Sequence, residues 1–337
     1  MAVKRSDTPP VRPAEPPGPR RGGSPAPPSP WILPVAVLLL AALCAALTAW
    51  QDRLPAPRDA NAPARDFSAA RAVDRVRAIA TEPRPSGSPA HTRVREDIVR
   101  TLTELGLETR VQTTASVTHM PDLSPTGADS RYAGLRVDNV VARLPGSAST
   151  RPVALVTHYD STEAGPGAND AGVPVAVLLE TARALRSGPA PRNDVLLVFT
   201  DAEESGLLGS RALADAPEFL PRDAVVLNFE ARGSRGPSLM FETGPDAAWL
   251  VDALADHVPS ARTSSLLDAA YRYLPNLTDF TVLARAGHQG LNLAYLDGYT
   301  AYHGAADDPD RVDPATVQHQ GDQALGLART LGAAALA

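Results

Sequence analysis

The chain has a single cysteine, Cys44, set in an apolar run. One thiol excludes an intrachain disulfide framework and a thiolate zinc site, so any metal must be held by histidine and carboxylates. Lysine is nearly absent, Lys4 being the only one, and aromatic residues make up 5% of the sequence. The arginine skew, with abundant alanine and proline, fits a GC-rich coding bias and carries no functional meaning. A basic surplus is also missing, because 32 Lys and Arg face 38 Asp and Glu for a formal net charge of −6. Proteins that bind nucleic acid need a basic face to neutralise phosphates, and none is available here. What is present is apolar bulk. With 337 residues, 44% hydrophobic and 21% charged, the chain can bury the core of one large domain or two small ones, which excludes a wholly disordered protein.

Residues 1–30 carry ten prolines and no aromatic residue, too little apolar surface to offset the entropy of ordering, and read as a disordered tail. Residues 31–50 contain no charge and have Trp31 and Trp50 at their ends. At about 1.5 Å per residue they span the roughly 30 Å hydrocarbon layer, which predicts a transmembrane helix. Lys4, Arg5, Arg12, Arg20 and Arg21 precede the span, whereas only Arg53 and Arg58 closely follow it. The positive-inside rule then places the tail in the cytoplasm and the rest outside a cell membrane crossed once. The leader and the apolar stretch both exceed the usual dimensions of a cleaved signal peptide, which favours an uncleaved anchor. Residues 51–66 read as a Pro/Ala linker, leaving 67–337 as one outward-facing domain.

Within that domain apolar, β-branched runs at 137–144, 151–158, 193–200, 223–230 and 289–296 read as strands. Helical patterns fall at 67–80, 91–105, 172–187, 206–215, 246–257, 277–286 and 315–334. This alternation predicts an α/β fold with a mostly parallel central sheet and helices on both faces.

Ligands of open α/β sheets bind beyond the carboxyl ends of the strands, so the residues ending each strand are the informative ones. One strand ends in His158-Tyr159-Asp160, another in Asp201-Ala202-Glu203-Glu204, a third in Asn228-Phe229-Glu230, and a fourth leads through a turn to Tyr302-His303. The turn at 165–172 opens a helix and presents Asp170 near its N-terminus, where backbone amides favour an anion. Singly, each has an ordinary explanation as a cap or a solvated first turn. Together they are the histidine and carboxylate set that zinc accepts when no thiolate is present.

The ordered motifs H-x-D, P-G-A-N-D-A-G, A-E-E-x-G-L-x-G-S, N-F-E-A-R-G and Y-H-x-x-x-D resemble the M28 family of zinc peptidases over about residues 67–337. Within it, N-F-E-A-R-G-S-R-G and the preceding anchor are similar to the membrane-bound branch of vacuolar and endoplasmic reticulum metallopeptidases. The resemblance implies a zinc-exopeptidase fold and two zinc ions per chain. Asp170 would bridge them, His158 and Glu230 completing one site and Glu204 and His303 the other. It implies Glu203 as general base acting on a metal-bridging water, and Asp160 as acceptor of the second ring N–H of His158. Many family members have Asp where this chain has Glu230. Tyr302, Tyr273 and Arg232 are polar candidates for oxyanion or substrate contacts, each with a plain structural alternative.

The family implies an aminopeptidase acting on peptides with a free N-terminus, whose α-amine suits an electronegative cluster. Two other classes stay open: a glutaminyl-peptide cyclotransferase with one zinc, and a non-catalytic M28-like binding ectodomain. The loops at 117–135 and 260–275 carry no readable side-chain preference, and no motif specifies an oligomeric state. Asn276-Leu277-Thr278 matches a glycosylation sequon.

Overall fold

The computed structural model describes residues 31–51, 53–120, 131–263, 265–271, 273 and 277–336. The expected disordered tail and Asn276 lie outside them. The chain divides into two compact units, Met1–Arg53 and Leu54–Ala337.

In the first unit, α1 (Ile32–Gln51) is a helix of 20 residues with no charged side chain in its first or last turn. Its side chains are described as far as Thr48 and are exposed throughout, Leu33 by 74% and Leu38 by 69%. Among the described residues, no helix is long and apolar enough to cross a membrane. The helix expected at 31–50 is therefore present, whereas its crossing of a bilayer is not shown by the fold.

The second unit begins with α2 (Ala69–Ile79) and α3 (Pro89–Glu104). Ser68 and Ser88 cap them, each hydroxyl accepting a backbone N–H three residues on, from Arg71 at 3.2 Å and His91 at 3.1 Å. Pro89 fills the first helical position of α3, where no donor is lost. The long strands β1 (Glu108–Met120) and β2 (Arg131–Leu144) pair antiparallel. There follow β3 (Val153–His158), α4 (Val173–Arg186), β4 (Val195–Thr200), α5 (Leu208–Ala214), β5 (Val225–Ala231), β6 (Leu239–Thr243), α6 (Ala248–His257), α7 (Ser265–Tyr271), α8 (Asp279–Arg285), β7 (Gly290–Tyr295) and α9 (Pro314–Ala333).

These strands form one seven-stranded sheet in the order β1-β2-β4-β3-β5-β7-β6. The parallel arrangement holds only for the centre, β4-β3-β5-β7, while β1–β2, β2–β4 and β6–β7 are antiparallel. The sheet is therefore mixed rather than mostly parallel. The difference arises at the edges. β1 is rich in threonine and interrupted by Arg110 and Gln112, so it offers no apolar run, and β6 is only five residues long.

Alternation along the central strands builds a core on each face. Leu155, Leu197, Phe199, Leu227 and Phe229 pack in one cluster with residues of α2, α3, α4, α6 and α9. Ala154, Val156, Leu196, Val198 and Val226 pack on the opposite side with Leu213 of α5 and Phe280 and Leu283 of α8. The helices thus cover both faces, as expected. All of β3, β4, β5 and β7 is buried.

The domain starts earlier than the sequence suggests. Residues 54–66, read as a linker, are fastened to the core. The Arg58 N–H donates to Gln318 Oε1 at 2.9 Å and its guanidinium to Asp322 at 2.8 Å, while Arg71 and Arg183 donate to the carbonyls of Ala60, Ala62, Ala64 and Asp66. Proline and alanine give this segment no periodicity, and its order comes from distant arginines.

Candidate metal centre

The carboxyl ends of the parallel strands carry the chemistry. His158 is the last residue of β3 and Glu230 the penultimate residue of β5. Glu203 and Glu204 follow β4, reached through Ala202 at φ 56°, and His303, at φ 54°, lies beyond β7. Both are left-handed conformations that non-glycine residues seldom adopt away from functional sites. Asp170 lies in the segment Ala168–Gly172 between β3 and α4.

These side chains converge into two triads. His158, Asp170 and Glu230 offer ligand atoms within 4.8 Å of one another, and so do Asp170, Glu204 and His303. Asp170 belongs to both, one oxygen to each. Its Oδ1 is 3.1 Å from His158 Nε2 and its Oδ2 3.2 Å from His303 Nε2. The first triad closes with Glu230 Oε2 at 3.4 Å from His158 Nε2, the second with Glu204 Oε2 at 3.1 Å from His303 Nε2. His158, Asp170 and Glu230 are buried, whereas the His303 side chain keeps 39% of its surface. The cluster therefore opens on the His303 side.

Glu203 belongs to neither triad. Asp160 accepts the backbone N–H groups of Glu203 and Glu204, and its Oδ1 approaches His158 Nδ1 to 3.3 Å. That approach is poorly aligned, and Nδ1 makes no hydrogen bond. The expected contact is present as proximity only, and the firmer role of Asp160 is to hold the two glutamates.

Electrostatics show that the cluster is short of positive charge. Burial pushes Glu203 well above the usual carboxylate range, with Glu204 and Glu230 adding to it against the opposing charge of His158. Burial and the Asp170 charge push Glu204 up to about 7. His303 is held up at about 9 by Asp170 and Glu204, although burial pulls it down. Without a metal, the site takes up protons to offset its carboxylates. Divalent cations would displace those protons, and the buried Asp170 Oδ2, Glu204 Oε1 and His158 Nδ1 have no hydrogen-bond partner. A histidine and carboxylate donor set with free buried atoms fits zinc.

Two positioning residues escaped the sequence reading. Asp307 closes the Y-H-x-x-x-D motif, and its carboxylate accepts the backbone N–H of Asn169 at 2.8 Å and of Asp170 at 3.0 Å. Arg84 is fully buried and donates to the carbonyls of Tyr159, Pro166 and Gly167. Burial pulls its pKa down to about 10, the surrounding Asp160, Asp307 and Asp170 opposing that pull. Gly167 (φ 59°) lies against this clamp, and a Cβ at Gly165 would come within 2.0 Å of the Gly304 carbonyl. The loops bearing Asp170 and His303 thus touch backbone to backbone, which only glycine permits.

Of the expected substrate contacts, the structure brings two together. Tyr302 stacks on His303 with centroids 3.7 Å apart, and the Arg232 guanidinium lies 5.3 Å from the Tyr302 ring centre. Tyr273 is 89% exposed and joins neither. Its neighbour Tyr271 is the tyrosine facing this region, its ring edge-on to Phe241 at 4.8 Å and its buried hydroxyl without a partner.

Residues 139–328 match the profile of Peptidase family M28, a segment covering more than half of the chain and every candidate ligand above. The chain belongs to this family. Endoplasmic reticulum metallopeptidase 1 of Mus musculus is 30% identical over 200 residues, 58% of this chain and 22% of that protein. The vacuolar membrane protease of Clavispora lusitaniae is 31% identical over 188 residues, 54% of this chain and 18% of that protein. The chain therefore matches about a fifth of the length of these curated relatives, which are those of the branch its motifs resemble. Among solved structures, an aminopeptidase from Aneurinibacillus sp. strain AM-1 superposes with a TM-score of 0.64 at 13% identity, over 80% of this chain and 94% of that one. Fimbriiglobus ruber glutaminyl cyclase gives 0.61 at 20% identity, over 82% and 99%. These superpositions show a shared fold.

Proposed function

We propose that this M28 chain is a membrane-anchored di-zinc aminopeptidase. The observation that carries the reading is the division of one carboxylate, Asp170, between two triads that each add a histidine and a glutamate. In this reading His158 and Glu230 would hold one zinc, Glu204 and His303 the other, and Asp170 would be shared by both. Two bound zinc ions would supply a Lewis acid for the scissile carbonyl and lower the pKa of the attacking water. Glu203, outside both triads and with its affinity for a proton raised by burial, takes the proton of that water and returns it to the leaving amine. Asp160 fixes the backbone on which Glu203 turns. Tyr302, stacked on His303, and Arg232, over the Tyr302 ring, are the candidate contacts to the substrate carbonyl in this reading. The surplus of carboxylates suits a substrate ammonium, which an N-acetyl group would both discharge and crowd out.

The fold is shared with a glutaminyl cyclase. The presence of both triads, His158–Asp170–Glu230 and Asp170–Glu204–His303, favours two metals and hydrolysis over a one-zinc cyclase or a non-catalytic binding domain. Short peptides offered with free and with acetylated N-termini test the direction of cleavage. Hydrolysis of the free form alone is expected. Equal rates on both forms contradict the aminopeptidase reading, and cyclisation of N-terminal glutamine without hydrolysis supports the cyclase.

Anchoring is an inference from the sequence and from the likeness to a vacuolar membrane protease. Residues 31–50 carry no charge, and 20 residues at about 1.5 Å each would match the roughly 30 Å hydrocarbon layer, while the basic residues before them favour a cytoplasmic N-terminus. Protease added to intact cells is expected to digest the M28 domain and spare the tail.

A further inference from the structure

One buried polar layer beside the His158 triad has no part in the roles above. Asn228 lies two residues before Glu230 on β5, hence on the same face. Its register partner on β7 is Asn292, and the partner of Asn292 on β6 is Glu242. Their side chains form one ladder across three strands. Asn292 Nδ2 donates to Glu242 Oε2 at 2.9 Å, and Asn228 Nδ2 donates both to Asn292 Oδ1 at 2.9 Å and to Glu230 Oε1 at 3.2 Å. Thr278 Oγ1 takes the second N–H of Asn292 at 2.8 Å. Both asparagines are fully buried.

The network fixes which way the amides face. Turned over, Asn228 would set its own oxygen against Glu230 Oε1 and Asn292 Oδ1, two acceptors. In the observed orientation Asn228 Oδ1 is left buried without a partner, the cost of directing both N–H groups at Glu230 and Asn292. An amide cannot pass a proton along such a ladder and remain an amide, so the ladder is a tether. It ends on one oxygen of Glu230 only. Oε2, the oxygen 3.4 Å from His158 Nε2, remains free for the triad. Glutamate has one more rotatable bond than aspartate, so a ligand of this length gains most from being held.

We propose that the Asn228–Asn292–Glu242 ladder positions Glu230 as a one-oxygen ligand and so sets the metal affinity of the His158 site alone, leaving the Asp170–Glu204–His303 site unaffected. This rests on the two-metal reading. The ladder's hydrogen bonds reach the cluster at Glu230, and none of them touches Glu204 or His303.

Titration of the full-length metal-free protein with zinc against a chelating indicator tests it. The unmutated protein is expected to show two affinities, and Glu204→Gln identifies the step belonging to the His303 site. Asn228→Leu, close to isosteric and lacking the donor, is expected to weaken the other step about 10- to 100-fold, the usual effect of losing a partner behind a ligand, with the His303 step unmoved. Asn292→Ala, one link removed from Glu230, is expected to weaken the same step by less, and it carries the test if Asn228→Leu does not fold by thermal unfolding. Two zinc steps in the parent that neither variant alters, or that both variants weaken equally, overturn the ladder's role. A single zinc step in the parent overturns the two-metal reading itself, and the inference with it, before any variant is compared.

Discussion

Asp160 holds the backbone N–H groups of two consecutive residues, its Oδ1 3.2 Å from the nitrogen of Glu203 and its Oδ2 3.2 Å from that of Glu204. One buried carboxylate therefore aligns the proposed base and a proposed ligand, and it stands 3.3 Å from the ring of a second ligand, His158. Asn in its place keeps one acceptor and turns an N–H₂ toward the other amide. Asp160→Asn is expected to lower kcat about 10- to 100-fold with zinc content nearly intact, because partners behind the ligands act through orientation. Full activity in that variant contradicts the clamp.

Asp170→Ala removes the carboxylate shared by both triads. Both zinc ions are expected to be lost on gel filtration in chelator-free buffer, and the melting temperature to fall to that of the chelated parent, since metal that binds only the folded state stabilises it by mass action. Retention of one tightly held zinc would show that the bridge is dispensable.

The ordered segment before α2 makes a statement about domain limits. A chain beginning at Asp66 loses the Arg58–Asp322 pair and the Ala60, Ala62 and Ala64 carbonyls that receive Arg71 and Arg183, keeping only the Asp66 carbonyl for them. It is expected to be less stable than one beginning at Leu54 by on the order of 2 kcal/mol, the scale of a few partly buried hydrogen bonds. Urea unfolding of the two chains measures the difference, and equal midpoints return this segment to the status of a linker.

His319 supplies a pH dependence away from the metals. It is buried in α9, where Nδ1 accepts the Ser238 N–H at 3.0 Å and Nε2 donates to the Ser260 carbonyl at 2.8 Å. Burial, aided by Arg262, lowers its pKa below the ordinary 6.5. Above the unfolded pKa the ring is neutral in both states. As the pH falls below it, the unfolded chain takes a proton that the folded one refuses, and stability is lost. The stability deficit of His319→Gln relative to the parent, both metal-free, is therefore expected to shrink between about pH 7.5 and about pH 5.5. A constant deficit shows that the ring does not titrate in this way.

The candidate ligands His158 and Glu230 were legible because each ends an apolar run, VALVT and VVLNF, where the topology of an α/β sheet gathers such residues. The helices were legible for a similar reason. Ala72, Val76 and Ile79 mark the buried stripe of α2, and the expected bounds lie within two residues of the observed ones for that helix. The antiparallel edges were not, because β1 alternates polar residues with threonine and alanine and pairs through its backbone with β2. Arg84 was silent for another reason. It bonds carbonyls some 80 residues away, and no spacing rule marks a side chain whose partners are backbone oxygens. Asp307 was visible in its motif, but its role depends on the amides of Asn169 and Asp170, 138 and 137 residues earlier in the chain.

The most direct test of the central claim pairs one substitution with two readings, zinc bound per chain and peptidase rate, in the parent and in Glu203→Gln. Glu203 lies outside both triads and is assigned proton transfer, which contributes about 10²- to 10⁴-fold. Two zinc ions per chain in both proteins, with the rate falling by at least that factor in the variant, is the predicted result. Zinc lost from the variant, or hydrolysis undiminished with zinc retained, contradicts it.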